Sequence, residues 1–92
     1  MSVPKEFEKD PSAILDYTIN WASWLPSGDT ISTSAWTVPS GLTSASASNT
    51  TTTATVWLSG GTAGQVYRVT NKVVTAGSRT DERTIMIRVV NR

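Results

Sequence analysis

Few side chains in this sequence can do chemistry. It contains no Cys and no His, which removes thiolate nucleophiles, disulfide stapling, the usual zinc ligand sets and the commonest general base. Seven carboxylates remain: Glu6, Glu8, Asp10 and Asp16 towards the N-terminus, Asp29 in a turn, and the adjacent Asp81 and Glu82 near a hairpin. Glycoside hydrolysis would need two carboxylates held about 5 to 9.5 Å apart across a cleft, and so small a domain suggests no such cleft. The Asp-rich ladder of a calcium loop is also missing. Ser59-Gly60-Gly61-Thr62-Ala63-Gly64 has the glycines of a phosphate cradle. It lacks the following Lys-Ser/Thr, however, and leads into a strand where an anion loop needs a helix N-terminus. Asn49-Thr50-Thr51 is a sequon that only a secretory pathway would use. The expectation is therefore no catalytic residue, no cofactor and no metal site.

The elements that would position these groups are strands. Fifteen Thr and twelve Ser in 92 residues favour strands and turns over helices. Leu15 to Trp21 alternates without a break, putting Leu15, Tyr17, Ile19 and Trp21 on one face. Pro26-Ser27-Gly28-Asp29 is a turn, and a second strand is expected within Thr30 to Val38, with Ser34, Trp36 and Val38 sharing a face. A strand within Thr50 to Leu58 carries Thr52, Ala54, Val56 and Leu58 on one side, and Leu42 to Asn49 before it is small and hydroxylated. Gln65 to Thr75 and Thr84 to Val90 form a long hairpin around Ala76-Gly77-Ser78-Arg79, with Tyr67, Val69, Asn71 and Val73 facing Ile85, Ile87 and Val89. The spacing predicts an all-β, two-sheet antiparallel β-sandwich of about six or seven strands, which a local resemblance marks as immunoglobulin-like. Gly64-Gln65-Val66-Tyr67 resembles the approach to a tyrosine corner, although the inter-sheet disulfide of that fold has no counterpart. Residues 1–11 read as an N-terminal arm and residues 12–92 as one sandwich domain.

Charge is distributed unevenly. Met1 to Asp29 sums to −3, Thr30 to Gly64 carries no charge, and Gln65 to Arg92 sums to +4. A bare, hydroxyl-rich middle third fits either a solvated polar face or a surface that a neighbouring subunit covers. The basic excess of the last third, at a sequence pI of 8.1, lacks a recognition helix or an aromatic-basic strand motif, so no nucleic acid is expected. No apolar run approaches the roughly 20 residues of a membrane span, and Met1 to Asp10 alternates charges where a signal peptide would be apolar. A soluble chain without a membrane partner is expected. Trp21 and Trp36 fit inward positions, whereas Trp24 and Trp57 do not, and an outward Trp suits a protein interface or a sugar platform. The candidate interface residues are Glu6, Phe7 and Glu8 in the arm, the two tryptophans Trp24 and Trp57, and the strand arginines Arg68, Arg83 and Arg88.

An ordered series of motifs then suggests a family. Phe7-x-Lys9-Asp10-Pro11, Leu15-Asp16-Tyr17-x-Ile19-x-Trp21, Trp24-Leu25, Gly28-Asp29-Thr30-Ile31, Ser34-x-Trp36-x-Val38, Gly41-Leu42, Val56-Trp57-Leu58-Ser59-Gly60-Gly61-Thr62-x-Gly64, Tyr67-x-Val69-Thr70-Asn71 and Arg79-Thr80-Asp81-Glu82-Arg83 span Phe7 to Val89. Together they resemble the fiber-tail adaptors of tailed bacteriophages. The resemblance implies a virion structural protein of the neck or tail, present in several copies as a ring assembly and without catalytic activity. Its partners would be portal, neck, tail or fiber subunits, and it would be assembled in the host bacterial cytoplasm, where the absence of Cys costs nothing. Two other roles stay open: a capsid decoration protein, and a carbohydrate-binding domain for host attachment.

Overall fold

The computed structural model describes residues 5–91, with Lys5 as backbone alone. The first four residues of the expected arm and Arg92 lie outside it. Seven strands follow one another without an intervening helix among the described residues: β1 (Lys5–Lys9), β2 (Leu15–Asn20), β3 (Ile31–Thr37), β4 (Leu42–Asn49), β5 (Thr53–Gly60), β6 (Val66–Thr75) and β7 (Thr80–Val89). They form two sheets, a four-stranded one in the order β1-β7-β6-β3 and a three-stranded one in the order β2-β5-β4. The orders β7-β6-β3 and β2-β5-β4 reproduce the two halves of an immunoglobulin-type sandwich. β1 departs from an antiparallel layout: it lies parallel to β7, with Phe7 opposite Ile87 and Lys9 opposite Val89. Two strands lie where the sequence signalled none. β1 is the described part of the arm, and β4 is built from small hydroxylated residues with little apolar alternation.

Alternation explains which side chains meet. Tyr17 and Ile19 of β2, Trp21 just after it, Ala54, Val56 and Leu58 of β5, Val69 and Val73 of β6, and Ile85, Ile87 and Val89 of β7 are all buried between the sheets. Leu15, expected on the same face, stands at the exposed start of β2. Trp36 faces inward and is half-buried, packed against this core.

Where immunoglobulin domains use a disulfide, this core uses a polar link. The fully buried Asn71 accepts a hydrogen bond at Oδ1 from Trp21 Nε1 (2.9 Å), and its Nδ2 donates to Ser34 Oγ (2.8 Å) and Ala35 O (3.1 Å). One amide thereby joins β3 and β6 to the segment that leaves β2. With both ends of the amide engaged, its burial escapes the penalty of an unpaired polar group. The tyrosine corner also forms: Tyr67 Oη accepts from Thr62 N at 2.9 Å, five residues upstream. Gly41 lets the chain pass this ring. Its φ is +104° and a Cβ there would come within 2.9 Å of Tyr67, so a side chain would meet both backbone strain and a clash.

Candidate functional site

The described residues present two broad outward sheet faces, which are the candidate functional surfaces. Side chains that alternate with the core positions must point away from it. On the four-stranded sheet the register places Glu8 of β1, Arg88 of β7 and Val66 of β6 in one row, and Glu6, Met86 and Arg68 in the next. Further along, Glu82 pairs with Lys72, and Lys72 with Ala35 of β3. This outer face therefore carries Glu6, Glu8, Glu82, Arg68, Lys72 and Arg88, three charges of each sign in cross-strand positions. Opposite charges on directly opposed strand positions are mutually favourable. Val66, at the start of β6 beside Arg88, is 46% exposed.

The outer face of the three-stranded sheet has a different chemistry. Asp16, Thr18 and Asn20 of β2, Thr53, Thr55, Trp57 and Ser59 of β5, and Thr43, Ser46 and Ser48 of β4 alternate with the core positions. Thr18 Oγ1 and Thr55 Oγ1 hydrogen-bond across the strands at 2.9 Å. Among the described residues of these strands Asp16 is the one charge on this face, and Trp57 is its large side chain, 41% exposed with Asp16 and Ser46 as its cross-strand partners. The uncharged third of the sequence thus becomes β3, β4 and β5, which supply one free edge of each sheet and most of this face.

The sequence-derived candidates separate into three groups. Glu6, Glu8, Arg68 and Arg88 come together on the charged face, and Trp57 stands on the hydroxyl-rich one, opposite Asp16. Phe7, Trp24 and Arg83 turn to structural contacts. Phe7 packs against Tyr17 with ring centroids 5.0 Å apart. Trp24 meets Trp21 edge-on at 5.2 Å. Arg83 lies on the inward side of β7, its guanidinium carbon 4.3 Å from the centre of the Trp21 ring, and its Nη1 donates to Asn20 O at 3.1 Å. This cation–π contact closes the open end of the core over Trp21. Val66 and Met86 were not picked out from the sequence as parts of the charged face. Their phase in the strands, out of step with Tyr67 and Ile87, was the available signal.

Two titratable groups hold the ends of the sandwich. Lys9 is buried, and its Nζ donates to Gly60 O at 2.6 Å and Asp10 O at 2.9 Å, fastening the end of β1 to the β5–β6 corner. Burial pushes its pKa below the ordinary lysine value, with the Asp10 charge opposing the shift. At the other end Asp29 receives Gly77 N and Thr30 N at Oδ1, each at 3.0 Å, and the Arg79 guanidinium at Oδ2, 3.1 Å away. Hydrogen bonding from Thr75 is the largest influence lowering its pKa; the two backbone amides and Arg79 act in the same direction, and desolvation opposes them.

The fold and surfaces define a small immunoglobulin-like module whose usable features are two outward sheet faces of unlike chemistry. The family described as podophage GP4 fiber-tail adaptor protein gp77 matches residues 9–88, and the chain belongs to that family. It is a structural component of the phage tail. A search of curated proteins finds no match.

Proposed function

We infer that the chain works as a two-sided connector in the virion. One sheet face docks on a tail or neck subunit, and the opposite face receives a fiber or similar appendage. The observation that carries this reading is the back-to-back placement of two unlike surfaces, Arg68, Arg88, Glu6 and Glu8 on one and Trp57 among hydroxyls on the other. A connector must hold two partners without confusing them. Arginines and carboxylates select a partner by charge and orientation, whereas an exposed Trp on a hydroxyl-rich field selects chiefly by shape and desolvation. The mechanism is passive complementarity, with no catalytic step, and several copies act around the tail.

Complementation tests this directly. A phage lacking the gene is grown on hosts supplying Trp57→Ala or the double variant Arg68→Glu with Arg88→Glu, and the particles are analysed for the adaptor and for fibers. The connector reading expects the two variants to fail at different joints: one leaves the adaptor on the particle without its fiber, and the other leaves it off the particle. Identical behaviour of both variants, with both proteins folded, would overturn it.

A further inference from the structure

β4 is a free sheet edge. Among the described residues it has β5 on one side and no strand on the other, so a row of backbone N–H and C=O groups lies open along it. Natural edges are usually guarded by charge, Pro or a bulge. The other sheet has two free edges, β1 and β3; β1, across the molecule, carries Glu6 and Glu8. β4, with the sequence Leu-Thr-Ser-Ala-Ser-Ala-Ser-Asn, has neither charge nor Pro. Its protection is a register shift between Ser44 and Ser46, which leaves Ser46–Asn49 as a regular stretch.

Beside that stretch lies a cavity of about 60 Å³ lined by Ser34, Trp36, Ala47, Ser48 and Asn49, in the seam between β3 and β4. Trp36 Nε1 is buried and has no hydrogen-bond acceptor. A buried N–H without an acceptor is costly, and a cavity of this size has room for the tip of a small hydroxyl side chain. The seam therefore suits an extended, uncharged strand that brings Ser, Thr or Asn oxygens to the indole.

We propose that the occupant is a second copy of this chain, its β4 lying antiparallel to the first along Ser46–Asn49. β4 meets the requirement that it creates: it is extended, neutral, rich in Ser and Asn, and itself short of a neighbour. A twofold contact sets a patch against itself, which a charged edge such as β1 would resist and a neutral one permits. The pairing is reciprocal, so each copy supplies an acceptor to the other's Trp36. It also joins the two three-stranded sheets into one continuous surface, on which the two β5 strands bearing Trp57 lie three strand spacings apart, about 14 Å. With only four regular residues per strand the contact is small and belongs to the weak, transient class.

Sedimentation of the purified full chain across the micromolar range tests this, together with hydrogen exchange at the tryptophan indoles. The wild type should shift towards twice its 9.9 kDa mass as concentration rises, and the Trp36 indole N–H should gain protection in step. Ser48→Lys and Ala47→Lys, each bringing two like charges close together across the symmetric contact, should stay monomeric with an unchanged far-UV spectrum. Trp57→Ala should still pair, which separates this contact from the connector reading. A wild type that remains monomeric throughout, or a dimer that both lysine variants leave intact, would overturn the proposal.

Discussion

The two outer faces of this sandwich differ in how their chemistry is arranged. On the four-stranded sheet, charges of opposite sign sit in neighbouring strands, Glu8 opposite Arg88 and Glu82 opposite Lys72, so the face is balanced overall and patterned in detail. On the three-stranded sheet, hydroxyls surround one exposed indole, and Asp16 supplies the charge. Both faces are backed by the same aliphatic core, so their difference owes nothing to the fold. It arises at the alternate positions that folding leaves free. A sheet fixes every second residue by burial and leaves the rest to be chosen for partners. In this chain that freedom has been used in two opposite ways.

The two faces share one core, so a change there should reach both. Trp21→Ala removes the ring that Asn71, Trp24 and Arg83 all contact. It should lower the unfolding free energy by about 3 to 5 kcal/mol in urea titration, disabling both faces together. Trp57→Ala should act on one face alone, costing about 2 kcal/mol or more in partner binding as a hot-spot residue. Its effect on unfolding should stay within about 0.5 kcal/mol. Reversing Arg68 and Arg88 to Glu should slow association at the charged face, and that slowing should shrink as salt is raised. Binding through the Trp57 face should change little over the same salt range.

The smallest effects are those of pH, and they concern the ends of the sandwich. Because the Asp29 pKa is lowered by folding, its contribution is fully present above the unfolded aspartate pKa and is lost as pH falls through the folded value. Asp29→Asn should remove that part of the acid dependence. Lys9 acts in the same direction, in the alkaline range and for a different reason. Its pKa is lowered by burial, so the unfolded chain binds the proton more tightly, and stability rises with pH between the folded and the unfolded lysine values. Lys9→Met should flatten that alkaline rise, which denaturation midpoints measured at several pH values would detect.

Much of the fold could be read from the sequence because burial enforces period-two patterns. Tyr17-x-Ile19, Ala54-x-Val56-x-Leu58 and Ile85-x-Ile87-x-Val89 all stand where alternation put them. The Ala76–Arg79 turn joins β6 to β7 as its turn residues implied. β4 and β1 escaped detection for a physical reason. An edge strand is exposed on one flank and needs few apolar residues, so Leu42–Asn49 shows no stripe, and Lys5–Lys9 is mostly charged. For the surfaces, Trp57 was legible because it is out of phase with Val56 and Leu58. Arg83 was not, because its use depends on Trp21 lying across the sandwich. That contact spans 62 positions of sequence between Trp21 and Arg83, and no local pattern announces it.

A cryo-EM reconstruction of the intact tail, at a resolution that traces side chains, tests the central claim most directly. The two-face account predicts density for this chain between two different proteins, with Arg68 and Arg88 against one and Trp57 against the other. The same chain contacted through a single sheet face, or spread over the capsid shell with the Trp57 face open to solvent, would contradict it.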